Sequence, residues 1–190
     1  MKSFAIIAIL WLYGLSHSFA QVYLHNFGIT TISTHPYTVS PGIFDANLNT
    51  SSWINSSGSF TNLAGAAGQA LAVPSIGNGG TLELRVNINF GKYCSLNSFS
   101  FAIRGGSTAL TGWSLNIEGV NVGSGSITTT ITSTGTISFS NIDVVDGTIN
   151  ALLTFSGTGS TNVRIDDFRL NGSTSSSNTI NRPNALIFAN

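Results

Sequence analysis

The chain has 190 residues, and only 7% of them are charged, with seven basic and seven acidic groups in balance. No basic cluster supplies the electrostatic footprint that nucleic-acid binding needs, and 42% hydrophobic residues exclude a disordered chain. A single cysteine rules out an intramolecular disulfide, so the core must hold without covalent staples.

The first twenty residues, MKSFAIIAILWLYGLSHSFA, put Lys2 ahead of an apolar run and end in Ser18-Phe19-Ala20. This is the layout of a secretory signal peptide cleaved before Gln21. Its apolar core of about ten residues is half of the about 20 that a bilayer span takes. Cleavage leaves 190 − 20 = 170 residues, the size of one domain, and six basic groups against seven acidic ones once Lys2 is gone. The expected protein is secreted or held at the cell surface, with no transmembrane segment.

A strand is expected at Val22–Phe27, carrying His25. Beyond His35 and Pro36 the sequence turns polar and loop-like, with Tyr37, Phe44 and Trp53 set in it, the last within NTSSWINSSG. A sugar presents an apolar face and a ring of hydroxyls, so exposed flat rings beside amides are the residue types that bind it. Trp53 first, then Tyr37 and Phe44, are the expected ligand contacts; the competing reading makes Trp53 a plug over the end of a sandwich. Asn49, Asn55 and Asn171 open N-x-S/T triplets, which matter only in a host that glycosylates such sites.

From Thr81 onward a two-residue alternation takes over, the mark of half-buried strands. In TLELRVNINF, Leu82, Leu84, Val86, Ile88 and Phe90 share one face. Cys94 follows with no histidine closer than His35, and reads as a buried thiol rather than a nucleophile. The same alternation recurs in SFSFAIR (Phe99, Phe101, Ile103), GWSLNIEG (Trp113, Leu115, Ile117), TISFS (Ile137, Phe139) and TINALLTFSG (Ile149, Ala151, Leu153, Phe155). Arg104, at the end of one such strand, and Arg164, on the last one, each read as partners of an acid such as Glu83 or Asp166. Glycine pairs and Asp146-Gly147 punctuate these runs. A last strand spans Asn162–Leu170, and from Ser173 a polar stretch reads as a linker or tail. Many short strands with Gly-rich turns in one domain over residues 21–172 give an all-β antiparallel sandwich, most simply a jelly roll.

The last strand contains Asp166-Asp167. On a regular strand neighbours aim to opposite faces, so the pair cannot flank one scissile bond. Val163 and Ile165 are in one phase and Phe168 and Leu170 in the other, and a β-bulge at the two aspartates accounts for the slip. The pair then serves structure, by accepting loop amides or holding an ion. No zinc, nucleophile-elbow or phosphate-loop pattern occurs, and catalytic residues are not expected.

The run TLELRVNINFGKYCSLNSFSFAIRGGSTALTGWSLNIEG, with FSGTGSTNVRIDDFRLNG after it, resembles the secreted jelly-roll domains common in Bacteroidetes and other environmental bacteria. The matches are Phe99, Phe101, Arg104, Trp113, Leu115, Arg164, Ile165, Asp166, Asp167, Leu170 and Gly172, within Tyr23–Gly172. The resemblance implies a jelly roll and an extracellular setting but no settled activity. Such domains commonly precede a C-terminal sorting segment, and none is visible here. The resemblance also implies that the first and last strands lie side by side. An N-terminal residue, here Asn26, would then join Asp166 and Asp167 around a structural calcium ion, and no other cofactor is expected. The expected function is a secreted non-catalytic binding or adhesion module, with polysaccharide or another cell-surface molecule as partner. The alternatives are a structural part of a surface or matrix assembly and, last, a hydrolase.

Overall fold

The computed structural model describes residues 20–176 except 29–31, 33, 42–43 and 67. Among the described residues thirteen strands follow one another: β1 (Ala20–His25), β2 (Tyr37–Val39), β3 (Leu48–Asn55), β4 (Thr61–Ala64), β5 (Gln69–Ile76), β6 (Thr81–Ile88), β7 (Lys92–Gly105), β8 (Leu110–Ile117), β9 (Val120–Ser126), β10 (Thr132–Ser133), β11 (Ile137–Val145), β12 (Thr148–Gly157) and β13 (Thr161–Ser176). They form two antiparallel sheets. The first is ordered β10-β7-β13-β5-β4, with β11 also on β7 and β1 also on β13; the second is ordered β2-β3-β6-β12-β8-β9. The all-β sandwich is therefore as the alternation predicts, and the first and last strands are neighbours, from Ala20 opposite Gly172 to His25 opposite Phe168.

The inward phases meet as expected between the sheets: Leu82, Leu84, Val86, Ile88, Phe99, Phe101, Trp113, Leu115, Ile117, Leu153 and Phe155 are all buried. Phe90 is the exception, at 95% exposure. The alternation misplaces it because β6 ends at Ile88 and the chain turns there to cross to the other sheet. Gly91 takes φ +72° in that turn, and the Asp146 carboxylate accepts the N–H groups of Gly91 (2.6 Å) and Lys92 (3.1 Å). Cys94 is buried, and its burial, with Asp45 and Asp143 nearby, pushes the thiol up to about 12. It is not a nucleophile at neutral pH.

Two boundaries differ from expectation. β13 does not stop near Leu170 but runs to Ser176, because Ser173–Ser176 still pair with Lys92–Ser95 of β7; residues 177–190 lie outside the described residues. At the other end Ala20 opens β1, and residues 1–19 lie outside them too. Among the described residues no helix is long and apolar enough to cross a membrane.

His25 closes β1 at 6% exposure. Its Nδ1 accepts the N–H of Phe27 at 2.8 Å, which places the ring proton on Nε2, 3.3 Å from the Tyr37 hydroxyl. Burial pushes the imidazole from 6.5 down to about 4. Since the unfolded chain binds the proton more readily, the stabilisation from neutral His25 is complete above pH about 6.5 and is lost as pH falls toward 4. The full effect is about 3 kcal/mol at about 1.4 kcal/mol per pH unit. Thermal unfolding between pH 7 and 4.5 checks this. The wild type is expected to lose stability across the window, and His25→Asn, which keeps an acceptor for Phe27 without titrating, is expected to show a flatter slope.

Candidate functional site

β7 and β13 lie side by side in the first sheet and share its outer face. On β13, Ile165 and Phe168 both point inward, leaving two residues between them to be absorbed. The pairing register jumps from Asp166 opposite Ala102 to Arg169 opposite Ser100, and Asp167 takes φ +49°. This is the bulge that the phase slip predicts. The regular-strand arrangement, in which the two aspartates would aim apart, does not hold here: with one bulge between two inward residues, both fall on the outer side.

Their environments differ. Asp166 is fully buried, and its Oδ2 accepts the N–H of Ala66 at 2.6 Å while Oδ1 accepts the N–H of Asp167 at 2.9 Å. The β4–β5 loop folds closely over it. A Cβ on Gly65 would stand 2.3 Å from Asp166 Oδ2, so only glycine allows that approach. The Asp167 carboxylate, by contrast, has no hydrogen-bond partner among the described residues and faces a depression of about 340 Å³. Ala66, Ser100, Ser133, Thr136 and Arg169 also line it. A second depression of about 270 Å³ shares Ser100, Thr136 and Arg169 and adds Ser98 and Asn171. Together they make one polar trench along β7 and β13. Asn171 Nδ2 donates to Ser98 Oγ at 3.2 Å, while Asp167, Arg169, Ser100 and Thr136 keep their side-chain hydrogen-bonding capacity unused among the described residues.

Part of the outer face of the second sheet is different. There Arg85 pairs with Glu83 at 2.9 Å, Thr148 donates to Asn87 at 2.9 Å, and Asn87 donates to Thr50 at 3.0 Å. Side chains that satisfy one another in this way, along β6 and across to its neighbours, have little left for a ligand. In the trench, by contrast, Asp167, Arg169, Ser100 and Thr136 lie side by side without such partners among the described residues.

No protein-family model matches the chain, and no curated protein sequence does. Solved structures similar to it include a family 11 carbohydrate-binding module of a cellulosomal cellulase from Clostridium thermocellum, at 13% identity and a TM-score of 0.45, covering 82% of this chain and 96% of that one. A family 35 carbohydrate-binding module from an environmental isolate matches at 13% identity and a TM-score of 0.45, covering 74% and 96%. A family 36 module in complex with calcium and xylotriose matches at 16% identity and a TM-score of 0.39, covering 80% and 97%.

None of the three aromatic residues expected to touch a ligand lines the trench. Trp53 is not in a loop but in β3, at 1% exposure, donating from Nε1 to the Tyr23 hydroxyl at 3.3 Å. Its neighbours Ser51 and Asn55 are polar but also point inward, which disguised the strand. Tyr37 is half-buried in β2 against His25, and Phe44 is half-buried and stacked on Tyr23 with ring centroids 5.2 Å apart. Trp53 is thus the plug and not the platform. Of the expected calcium set, Asn26 is exposed just past β1, and Asp166 engages amides with both oxygens. Among the described residues no three His, Cys, Asp or Glu side chains gather as a metal site needs. As placed, these residues do not form the shell of six to eight oxygens that calcium prefers.

The arginines also depart from expectation. Glu83 pairs with Arg85, and Arg104 stands opposite Arg164 rather than opposite an acid. Sequence reasoning did not single out Ser98, Ser100, Thr136 or Arg169 as ligand residues. The signal was present in the polar phase of SFSFAIR, TISFS and FRLNG, the positions between the apolar ones. What the sequence does not show is which polar face remains unpaired.

Proposed function

We propose that this protein is a non-catalytic carbohydrate-binding module that lays a polysaccharide along the trench between β7 and β13. The observation that carries the reading is the row of side chains with unused hydrogen-bonding capacity: Asp167, Arg169, Ser100 and Thr136, beside Ser98 and Asn171. A carboxylate, a guanidinium, an amide and hydroxyls are the groups that complement sugar hydroxyls, and an open groove suits a chain better than a single small molecule. Hydrolysis requires two facing carboxylates about 5 to 10 Å apart. Here Asp167 is the free one, and Asp166 is held by amides. The proposal includes an extracellular setting, supported by the signal-peptide layout of the first twenty residues.

Affinity electrophoresis through soluble polysaccharides, with a glycan array, tests this. Retention by at least one polysaccharide is expected. Arg169→Ala and Asp167→Asn are each expected to weaken it roughly 10- to 150-fold, as loss of a charged hydrogen bond of about 1.5–3 kcal/mol implies. Melting temperatures should stay close to wild type, since neither side chain has a partner to lose. Silence across the array together with self-association would instead support a structural part of a surface assembly.

A further inference from the structure

The row of unpaired groups continues past the trench. Beyond Asp166 opposite Ala102, Arg104 of β7 stands directly opposite Arg164 of β13, a cross-strand position where like charges destabilise a sheet. Arg164 donates from Nη1 to the Ala64 carbonyl at 3.0 Å. Arg104 has no hydrogen-bond or ion-pair partner among the described residues, and the Nε atoms of both are buried without one. Burial, and the Arg104 charge beside it, hold the Arg164 guanidinium below its ordinary range. Asp166 accepts the amides of Ala66 and Asp167, and the Asp167 carboxylate makes no ion pair among the described residues. Arg104, Arg164 and Arg169 are three of the five basic side chains among the described residues, all on this one face.

A buried polar group without a partner calls for an explanation, and two facing cations call for an anion. Resting on the carbohydrate reading, we infer that Arg104 and Arg164 form an oxyanion subsite, receiving a carboxylate or sulfate of an acidic polysaccharide whose neighbouring sugars lie in the trench. A guanidinium presents a planar fork that binds such an oxyanion through two hydrogen bonds at once. An anion placed between the two forks turns the mutual repulsion into two attractions. Ser100 and Arg104 are four residues apart on β7, about 13 Å at the rise of a strand. The trench and the arginine pair are thus within reach of one polymer.

The test uses matched pairs of polymers that differ in charge: polygalacturonate and its methyl ester, and dextran sulfate and dextran. The wild type is expected to bind the acidic member of at least one pair tenfold or more tightly, the first pair reporting carboxylate and the second sulfate. That preference should shrink between about 20 mM and about 300 mM NaCl, where screening becomes strong. Arg104→Gln and Arg164→Gln should each remove it, while Arg104→Glu should remove it and raise the melting temperature by forming a cross-strand ion pair with Arg164. Equal binding of charged and neutral members would overturn the inference, as would variants that bind like wild type. If Arg169→Ala weakens binding to neutral polymers while the Arg104 and Arg164 variants change nothing, the carbohydrate reading stands and the anion subsite falls. If no polysaccharide on a wider panel is retained, both fall.

Discussion

Trp53→Ala is expected to destabilise the protein by about 3–5 kcal/mol, the range for truncating a buried tryptophan or phenylalanine. At about 2–4 °C per kcal/mol for a domain of this size, the melting temperature drops by roughly 6–20 °C. The reason lies in what the indole touches. Its ring meets Phe27 edge-on at 5.4 Å and Phe168 at 5.1 Å. Phe168 stacks on Phe101 at 5.6 Å, and Phe101 meets Trp113 at 4.9 Å. A continuous aromatic chain therefore runs through the core from β3 in one sheet to β13 and β7 in the other, then back to β8. Removing one of its two tryptophans leaves a cavity beside two rings and deprives the Tyr23 hydroxyl of a donor, although Tyr23 keeps Ser51 at 3.0 Å. Trp53→Phe, which keeps an aromatic ring in the gap, should recover much of the loss. Urea unfolding of the two variants checks the assignment; a wild-type midpoint for Trp53→Ala would contradict it, and polysaccharide retention is expected to fall only in proportion to the unfolded fraction.

The same residue shows where the sequence was legible and where it was not. Strands with a strict apolar alternation, such as β6 and β12, could be read because water on one face and core on the other force a period of two. β3 breaks that code, since Ser51 and Asn55 are buried beside Leu48 and Trp53. Their polar groups are satisfied inside, Ser51 by Tyr23 and Asn55 by the Ser59 carbonyl at 2.7 Å, so composition alone reads the segment as a loop. β5 fails for the opposite reason: Ala70, Leu71, Ala72 and Val73 are all buried, and a strand covered on both faces shows no alternation.

At the site, the phase slip at Asp166-Asp167 could be read from four apolar residues, because a bulge is the simplest way to keep Val163, Ile165, Phe168 and Leu170 all inside. The partners could not. Ala66 lies 100 residues before Asp166, and nothing local in either segment marks their contact. The arginine pair was hidden in the same way, since the sequence gives each charge but not the register that sets Arg104 opposite Arg164.

The second large effect is expected at that bulge. Asp166 is fully buried, and a buried carboxylate carries a desolvation cost that only its hydrogen bonds offset. Asp166→Ala leaves the N–H groups of Ala66 and Asp167 without their acceptor. At about 1–3 kcal/mol for each unsatisfied buried group, the loss is roughly 2–6 kcal/mol, reduced by whatever the removed charge cost to bury. Asp166→Asn keeps one acceptor oxygen but turns an NH₂ toward one of the two amides, so it too should destabilise, by less than the alanine variant. Gly65→Ala probes the same junction without touching the charge. Its Cβ would stand 2.3 Å from Asp166 Oδ2 and 2.7 Å from the Gln69 carbonyl, so the loop must lift and the Ala66 hydrogen bond lengthen. Melting curves of all three variants, recorded with calcium and with chelator, separate amide acceptance from metal binding. Amide acceptance predicts three destabilised variants and wild-type curves that coincide in the two buffers. A calcium ion held by Asp166 would instead raise the wild-type melting temperature through binding to the folded state, and that increment would vanish in Asp166→Asn.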